Sequence, residues 1–384
     1  MKYLAHTLQH AENFVNNYKG KIALSVALKA HYKAYPKMGS KDRKRFTAVV
    51  MAYFRVAGKQ KLPFEKTVLW GLAMNDRVDA SLTDAALEQL GLSGESFTEI
   101  QKRLGEELGW NKENYFPAYT SLSEQLDLNA FIFAHFQQPD VFIRAYQNRV
   151  EEVEEEIKAN GWEYNRINDV CFSFSINHPF NTLKSFETGG FEVQDIASIQ
   201  TGDWWQPNAG ESWFDCCAGS GGKSLLLLDQ ESDLKLSVND NRPEVLDELQ
   251  FRFQLAGFPM PKMMQADLSE GIYEGLGPFD GIIADLPCTG SGTWGRSPER
   301  LRFFQENDIE RFADLQRNII NQVSKVLQQN GRLYYITCSV YKEENELNIA
   351  KICETNSLKC NKMVYHSAHE LRGDTLFVAE LDRS

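Results

Sequence analysis

The chain has 384 residues, of which 42% are hydrophobic and 24% charged, and its formal net charge is -12 at pH 7. Such values are typical of a soluble protein of two or three domains, and no stretch approaches the run of about 20 apolar residues that crosses a bilayer. The N-terminal segment has no apolar signal core, the cysteine count of 7 is odd, and no C-x-x-C pair occurs. We therefore expect a cytoplasmic protein with no membrane partner, no disulfide framework and no bound metal.

Residues 1–125 are expected to form an all-helical domain, because apolar side chains recur there at helical spacing. Ser40 is predicted to cap the third helix. The predicted helices cover residues 6–18, 22–35, 39–57, about 64–74, and 84–90. Residues 1–66 hold 14 Lys and Arg against 3 Asp and Glu, so they carry +11 and the remainder carries -23. A solvated helical face and a surface for nucleic-acid phosphates explain this charge about equally well.

Residues 126–200 predict a small α/β connector. Strands are expected in FIRAYQ (142–147) and VCFSFSI (170–176). The charged segment RVEEVEEEIKANG between them predicts a helix that ends at Gly161. The acidic run in this helix is typical of a solvated face.

Residues 201–384 alternate short apolar strands with helices, which predicts an α/β fold with a mainly parallel, Rossmann-like sheet covered on both faces. The predicted strands are 213–217, 235–240, 279–285, 331–339 and a closing strand at 375–381. The predicted helices are 223–230, 242–257 and 306–331.

A glycine-rich loop, FDCCAGSGGKS (214–224), joins the first of these strands to a helix, where α/β folds bind cofactors. A phosphate-binding Walker loop would need glycine at Cys217, and a dinucleotide fingerprint would need it at Ser224. S-adenosylmethionine fits better, because Asp240 follows the next strand in position to bind ribose hydroxyls. Asp267 follows the strand after that and could accept from the adenine amino group. Each aspartate alone is more often a turn residue or a helix cap.

Two cysteines follow neighbouring predicted strands. Asp285 and Cys288 lie in ADLPCTGSGTW, and Cys338 lies in YITCSVYKEENE. Adjacent strand ends would bring the two thiols together, although free cysteines are most often buried apolar residues. A thiolate can add to carbon 6 of cytosine and so activate carbon 5 for methylation. A carboxyl group such as Asp285 would stabilise the changing charge on the ring.

These motifs resemble those of the Sun/Nop-type (RsmB-like) RNA cytosine-5 methyltransferases. The resemblance covers about 190–384 and is carried by FEVQDIAS, FDCCAGSGGKS, ADLPCTGSGTW with the RSPE that follows it, TCSVYKEENE and GDTLFVAEL. Residues 39–55 weakly resemble the NusB-like helical domain of bacterial small-subunit ribosomal RNA methyltransferases. The resemblance implies a class I methyltransferase domain at 201–384 that takes S-adenosyl-L-methionine.

The resemblance also implies roles for individual residues. Cys338 would be the nucleophile, Cys288 would assist product release, and Lys223 would reach the active site beside Asp285. Arg296 and Arg144 would contact RNA. The cofactor would lie against Cys217, Ala218, Gly219, Ser220, Gly221, Gly222, Lys223, Asp240, Asp267 and Asp285. The family usually has Ala-Pro in place of Gly219-Ser220, which predicts a looser loop.

The expected reaction is methyl transfer to carbon 5 of a cytosine, with ribosomal RNA as the first substrate choice and transfer RNA as the second. A catalytically silent RNA-binding assembly factor is an alternative, although the intact Cys288, Cys338 and Asp285 argue against it. A base or protein N-methyltransferase is disfavoured, because its usual Asp/Asn-Pro-Pro-Tyr/Phe motif is replaced by Asp-Leu-Pro-Cys at 285–288. The sequence leaves the oligomeric state open.

Overall fold

A computed structural model describes residues 2–383 of the protein, with side chains from residue 6 onward. The chain divides into two units, one of residues 1–139 with 293–306 and one of residues 140–292 with 307–384. Within the part described, no helix has both the length and the apolar character required to cross a membrane.

The first unit is helical, as predicted from the periodicity. Its core packs α3 against α4, and this packing is close enough for Gly71 to lie directly on the α3 backbone. The helices before residue 139 are α1 (Lys2–Asn17), α2 (Leu24–Ala34), α3 (Ser40–Ala57), α4 (Phe64–Ala73), α5 (Ala80–Leu90), α6 (Phe97–Leu108), α7 (Lys112–Tyr115) and α8 (Leu128–Ala134). The capping prediction for Ser40 is wrong by one position: Gly39 is the N-cap of α3 and Ser40 is its first helical residue.

The second unit begins with a small antiparallel sheet in the order β2-β3-β1-β4. Buried side chains of β1 and β3 pack against the apolar face of α9, whose other face is the solvated acidic one. The elements are β1 (Val141–Ala145), α9 (Val150–Ala159), β2 (Asn165–Arg166), β3 (Cys171–Phe174), α10 (Lys184–Glu187), β4 (Phe191–Val193) and α11 (Ile196–Gln200). The expected limits of a separate connector at 126–200 stay a prediction.

The rest of the second unit is a seven-stranded sheet in the order β10-β11-β9-β8-β5-β6-β7. Strands β9, β8, β5, β6 and β7 are parallel to one another. Strand β11 runs antiparallel to both of its neighbours, β9 and β10, so β10 has the same direction as β9. The elements are β5 (Ser212–Asp215), α12 (Gly222–Gln230), β6 (Lys235–Asn239), α13 (Pro243–Ala256), β7 (Lys262–Met264), β8 (Phe279–Asp285), α14 (Glu299–Phe303), α15 (Asn307–Val323), β9 (Leu327–Thr337), α16 (Glu346–Thr355), β10 (Leu358–Ser367) and β11 (Thr375–Arg383). Of these, α14 lies in the segment 293–306 that belongs to the helical unit. The Rossmann-like fold is confirmed.

The predicted helix at 306–331 is too long. It ends at Val323, and β9 begins at Leu327 because this residue pairs with Phe279 of β8. A helix cannot form the backbone hydrogen bonds that join β9 to β8, so pairing within the sheet determines the conformation here, and not the apolar spacing that suggested a continuous helix. The order of the parallel strands then sets the site, because β5, β6, β8 and β9 end at one edge of the sheet.

Candidate active site

The glycine-rich loop connects the end of β5 to the start of α12. Gly221 is the N-cap of α12 with φ +89°, and Gly219 has φ +54°, which is the left-handed region that glycine enters without strain. The loop is tied to the end of β6, because Ala218 N–H donates to the Asn239 carbonyl at 2.8 Å and Gly219 N–H donates to Asp240 Oδ2 at 3.0 Å. The backbone is therefore presented to the space above the strand ends.

Ser220, which stands where the resembled family has proline, is held by a side chain that sequence reasoning missed. The Arg252 guanidinium donates to both the carbonyl and the hydroxyl of Ser220 at 2.6 Å. Arg252 also donates to Glu192, which accepts in turn from the Tyr146 hydroxyl at 2.7 Å. These hydrogen bonds restrain the loop in place of a proline ring, so the looseness expected from Gly219-Ser220 is offset.

Asp240 lies at the end of β6 and is almost fully buried. Arg242 donates to its two carboxylate oxygens at 2.9 and 3.0 Å. Burial acts to raise the pKa of Asp240, but the hydrogen bonds from Arg242 outweigh it and leave the pKa below its ordinary value. Asp240 is therefore an anionic acceptor at the position expected for ribose hydroxyls.

Asp267 lies on the exposed rim of the same cleft, after β7. Hydrogen bonds from the Ser269 hydroxyl and backbone N–H lower its pKa. The Asp267 side chain is therefore a carboxylate that accepts hydrogen bonds, and such a group suits contact with an amino group.

Lys223 and Asp285 form an ion pair on the floor of the cleft. Lys223 Nζ lies 2.7 Å from Asp285 Oδ2 and 3.3 Å from Ser198 Oγ. Burial acts to lower the pKa of Lys223, but the Asp285 carboxylate more than compensates and raises it. The lysine is therefore a buried cation whose charge faces the strand ends that carry the cysteines.

Cys288 and Cys338 meet in the same cleft. They follow β8 and β9, two neighbouring parallel strands, and their Sγ atoms lie 3.3 Å apart although 50 residues separate them in the chain. Both side chains are half-buried, so neither thiol is sealed in the core. This is the arrangement expected from adjacent strand ends.

The cleft has a volume of about 690 Å³. Its lining includes every residue predicted for catalysis or cofactor binding except Gly221, the loop residue that caps α12. Two residues of the lining, Asp215 and Asn239, each have a buried Oδ1 atom without a hydrogen-bond partner. Burial raises the pKa of Asp215 to about 7, against the hydrogen bond from Ser224 and with a further increase from Asp285. Unsatisfied acceptors beside a glycine-lined cradle fit a cofactor that carries donor groups.

Arg144 is not part of this cleft. Its side chain is 0% exposed, donates to Gln194 Oε1 at 2.9 Å and pairs with Asp229 Oδ2 at 3.0 Å. A guanidinium enclosed in this way cannot reach a phosphate, so the structure does not support the predicted RNA contact and gives Arg144 a role in packing the second unit.

Arg296 is exposed and lies in the segment 293–306, within the helical unit. Its backbone N–H donates to the Thr293 carbonyl at 3.0 Å. Its predicted contact with RNA stays a prediction.

A glycine-rich loop after the first strand of a Rossmann-like sheet, followed by an acidic residue after the second strand, is a cofactor-binding arrangement that S-adenosylmethionine-dependent methyltransferases share with dinucleotide-binding proteins. Residues 203–377 match the family described as 16S rRNA methyltransferase RsmB/F. The match covers less than half of the chain, and it agrees with the prediction of S-adenosyl-L-methionine as the cofactor.

Curated relatives agree with this assignment. The chain is 31% identical over 221 residues to ribosomal RNA small subunit methyltransferase B of Escherichia coli O6:K15:H31, and 30% identical to that of Shigella sonnei. The aligned region covers 53% of this chain and 49% of each relative, so the chain spans about half the length of the curated relatives it matches.

Solved structures share the fold. The crystal structure of PH0851 has a TM-score of 0.69 at 20% identity, with 93% of this chain and 94% of that chain covered. NSun6 from Pyrococcus horikoshii, solved with SFG, has a TM-score of 0.59 at 18% identity, with 67% and 94% covered. A methyltransferase homologue from the same organism has a TM-score of 0.59 at 19% identity, with 78% and 98% covered.

Proposed function

We propose that the protein methylates carbon 5 of a cytosine in RNA, with Cys338 as the nucleophile. The observation that carries the proposal is the pair of thiols 3.3 Å apart in one cleft with the Lys223–Asp285 ion pair and the glycine-rich loop. A single thiol would suffice for many reactions. A second one at this distance suits a reaction that must both form and break a bond to sulfur.

Each group has a task in this reaction. The Cys338 sulfur bonds to carbon 6 of the ring, and carbon 5 becomes the nucleophilic carbon of an enamine. Asp285, beside ring nitrogen 3 and the amino group, stabilises the changing charge, and Lys223 holds that carboxylate in place. Once carbon 5 carries the methyl group, its proton leaves to a base, and the carbon–sulfur bond breaks with the electron pair returning to Cys338. Cys288 assists this release.

S-adenosyl-L-methionine, when bound, supplies a methyl group on a positively charged sulfur and leaves as a neutral thioether. The residues proposed to hold it are those that line the loop side of the cleft. The backbone from Cys217 to Gly222 faces the methionine part, Asp240 the ribose hydroxyls, and Asp267 the adenine amino group.

Ribosomal RNA is the proposed substrate, because the matched family and the curated relatives carry that substrate in their names. The target base has to leave its stack to reach two thiols inside a cleft. The helical unit is proposed to bind RNA, because all of the described lysines in residues 6–66 are exposed.

The test measures incorporation of labelled methyl groups into RNA by purified variants. We expect Cys338→Ala to abolish transfer, and Cys288→Ala to accumulate a covalent protein–RNA adduct that survives denaturing electrophoresis. Cys360→Ala, which changes a half-buried thiol outside the cleft, is the control and should retain full activity. Full activity in Cys338→Ala would overturn the assignment, and bisulfite sequencing of the product RNA checks carbon 5 as the site.

A further inference from the structure

Glu344 connects the two cysteine-bearing loops from inside the protein. Glu344 is 0% exposed, and its carboxylate is surrounded by four hydrogen-bond partners. Oε1 accepts from the hydroxyls of Thr289 and Ser339, both at 2.5 Å, and Oε2 accepts from Thr289 N–H and Gln316 Nε2, both at 3.0 Å. Burial raises the pKa of Glu344 above its ordinary value, while the hydrogen bonds from Ser339, Thr289 and Gln316 act in the opposite direction and favour the carboxylate.

The donors come from the residues that directly follow the two cysteines. Thr289 follows Cys288, and Ser339 follows Cys338. The two residues lie in different loops, one after β8 and one after β9, and the Glu344 carboxylate connects these loops because it accepts hydrogen bonds from both. A second connection is the bond from Gly292 N–H to the Cys338 carbonyl at 2.8 Å. The position of one sulfur relative to the other therefore depends on buried hydrogen bonds and not on the cysteines themselves.

The charge around the two thiols is also unequal. The Glu344 carboxylate acts on Cys288, and the Lys223 ammonium is coupled electrostatically to Cys338. The pKa of Cys288 is raised well above its ordinary value, first by its contact with Cys338, then by burial, and to a smaller extent by Glu344. Negative charge from Glu344 favours a proton on Cys288, whereas the charge nearest to Cys338 is the positive one of Lys223.

We propose that Glu344 is a positioning residue that sets the distance between the two sulfurs and keeps Cys288 protonated while Cys338 attacks. This deepens the proposed function and rests on it for the roles of the cysteines. Two identical thiols in one cleft would have no reason to take different roles, and in this proposal Glu344 supplies the difference between Cys288 and Cys338. The carboxylate forms none of these hydrogen bonds with a sulfur: it positions the two loops through Thr289 and Ser339, and its charge acts on Cys288 through space.

The experiment measures thiol reactivity and not methyl transfer, so it can fail independently of the proposed function. The full chain, without RNA or methyl donor, is alkylated with iodoacetamide from pH 6 to 10, and the rate at each cysteine is followed by peptide mass spectrometry. In the unaltered protein at pH 7 we expect Cys338 to react on the order of 10-fold faster than Cys288, because the thiolate is the reactive form. Equal rates would overturn the proposal.

Glu344→Gln keeps the shape of the side chain and removes its charge. We expect the alkylation profile of Cys288 to move to lower pH, with a rate at pH 8 that rises about 5-fold or more, and kcat for methyl transfer to fall with KM little changed. A folded Glu344→Gln variant with an unaltered Cys288 profile would refute the proposal.

Glu156→Gln is the matched control. Glu156 accepts from a serine hydroxyl at 2.5 Å and from two backbone N–H groups at the start of α10, so this variant also removes a carboxylate that accepts from a hydroxyl and from backbone N–H. We expect it to leave both cysteine profiles unchanged, and parallel changes in both variants would contradict a specific role for Glu344. Should Glu344→Gln not fold, Glu344→Asp decides: it keeps the charge, so the Cys288 profile should stay near that of the unaltered protein while kcat falls. A Cys288 profile that shifts to lower pH in Glu344→Asp would refute the proposal.

Discussion

Replacing Arg144 with methionine tests whether this residue serves the fold or the RNA. Its guanidinium neutralises Asp229, whose side chain is only 8% exposed and whose remaining contact is the Gln147 N–H at 3.1 Å. Loss of one partner of a buried ion pair typically costs about 3–5 kcal/mol, because the other charge is left without compensation. With a urea m-value of about 3 kcal/mol/M for a unit of this size, the unfolding midpoint should fall by about 1 M or more.

The loss should depend on pH with a definite sign. Burial raises the pKa of Asp229, and Arg144 opposes that increase. Without Arg144 the pKa in the folded state rises further above the unfolded value, so the folded state holds a proton that the unfolded state has released. We therefore expect Arg144→Met to lose more stability relative to the unaltered protein at pH 8 than at pH 5.

Arg149→Met is the control for this measurement. Its pair with Glu152 is exposed, at 27% and 46% of the side chains, so its loss should cost at most about 1 kcal/mol. RNA affinity measured by filter binding should be the same for the folded Arg144→Met and Arg149→Met variants. A midpoint shift worth under about 1 kcal/mol in Arg144→Met, together with weakened RNA binding, would refute the structural role.

Two further predictions concern buried groups. The pKa of Asp215 in the folded state is about 7, so the unaltered protein should lose on the order of 2 kcal/mol of stability between pH 5 and 7. In urea titrations, Asp215→Asn should make the free energy of unfolding depend less on pH over this range. The same pH dependence in both proteins would contradict the raised pKa. Gly71→Ala places a Cβ 2.3 Å from a carbonyl oxygen of α3 and should destabilise by more than about 2 kcal/mol. Gly105→Ala, with its nearest neighbour at 3.5 Å, should stabilise by up to about 1 kcal/mol in thermal melts, and similar shifts for both variants would argue against close packing at Gly71.

Local sequence patterns predict most of the residues that line the candidate active-site cleft. Cys288, Cys338 and Asp285 each follow an apolar stretch that reads as a buried strand, and parallel strands of such a sheet end at a common edge. The spacing of Asp240 and Asp267 after the glycine-rich loop follows from the same rule. The sequence can therefore predict that polar residues at strand ends lie together, because the parallel strands of one sheet end at the same edge.

Two elements that the sequence analysis does not predict differ in how clearly the sequence indicates them. Helix α6 starts at a capping box in which Ser96 and Glu99 bond each other's backbone, a pattern visible in the sequence. Strand β10 has weaker alternation and four exposed residues, so it depends on its antiparallel partner β11 to form. Its pattern alone does not distinguish it from a loop.

What the sequence by itself determined is the class of fold, the edge of the sheet that carries the chemistry and most of the residues found there, because strand alternation and residue type are local properties. The tertiary structure decided which polar side chains face the cleft and which are enclosed. Arg144 and Glu344 are both charged residues in or next to motifs, but one is buried against Asp229 and the other between two loops. Burial and hydrogen-bond partners arise from elements far apart in the chain, and therefore only the folded protein assigns them.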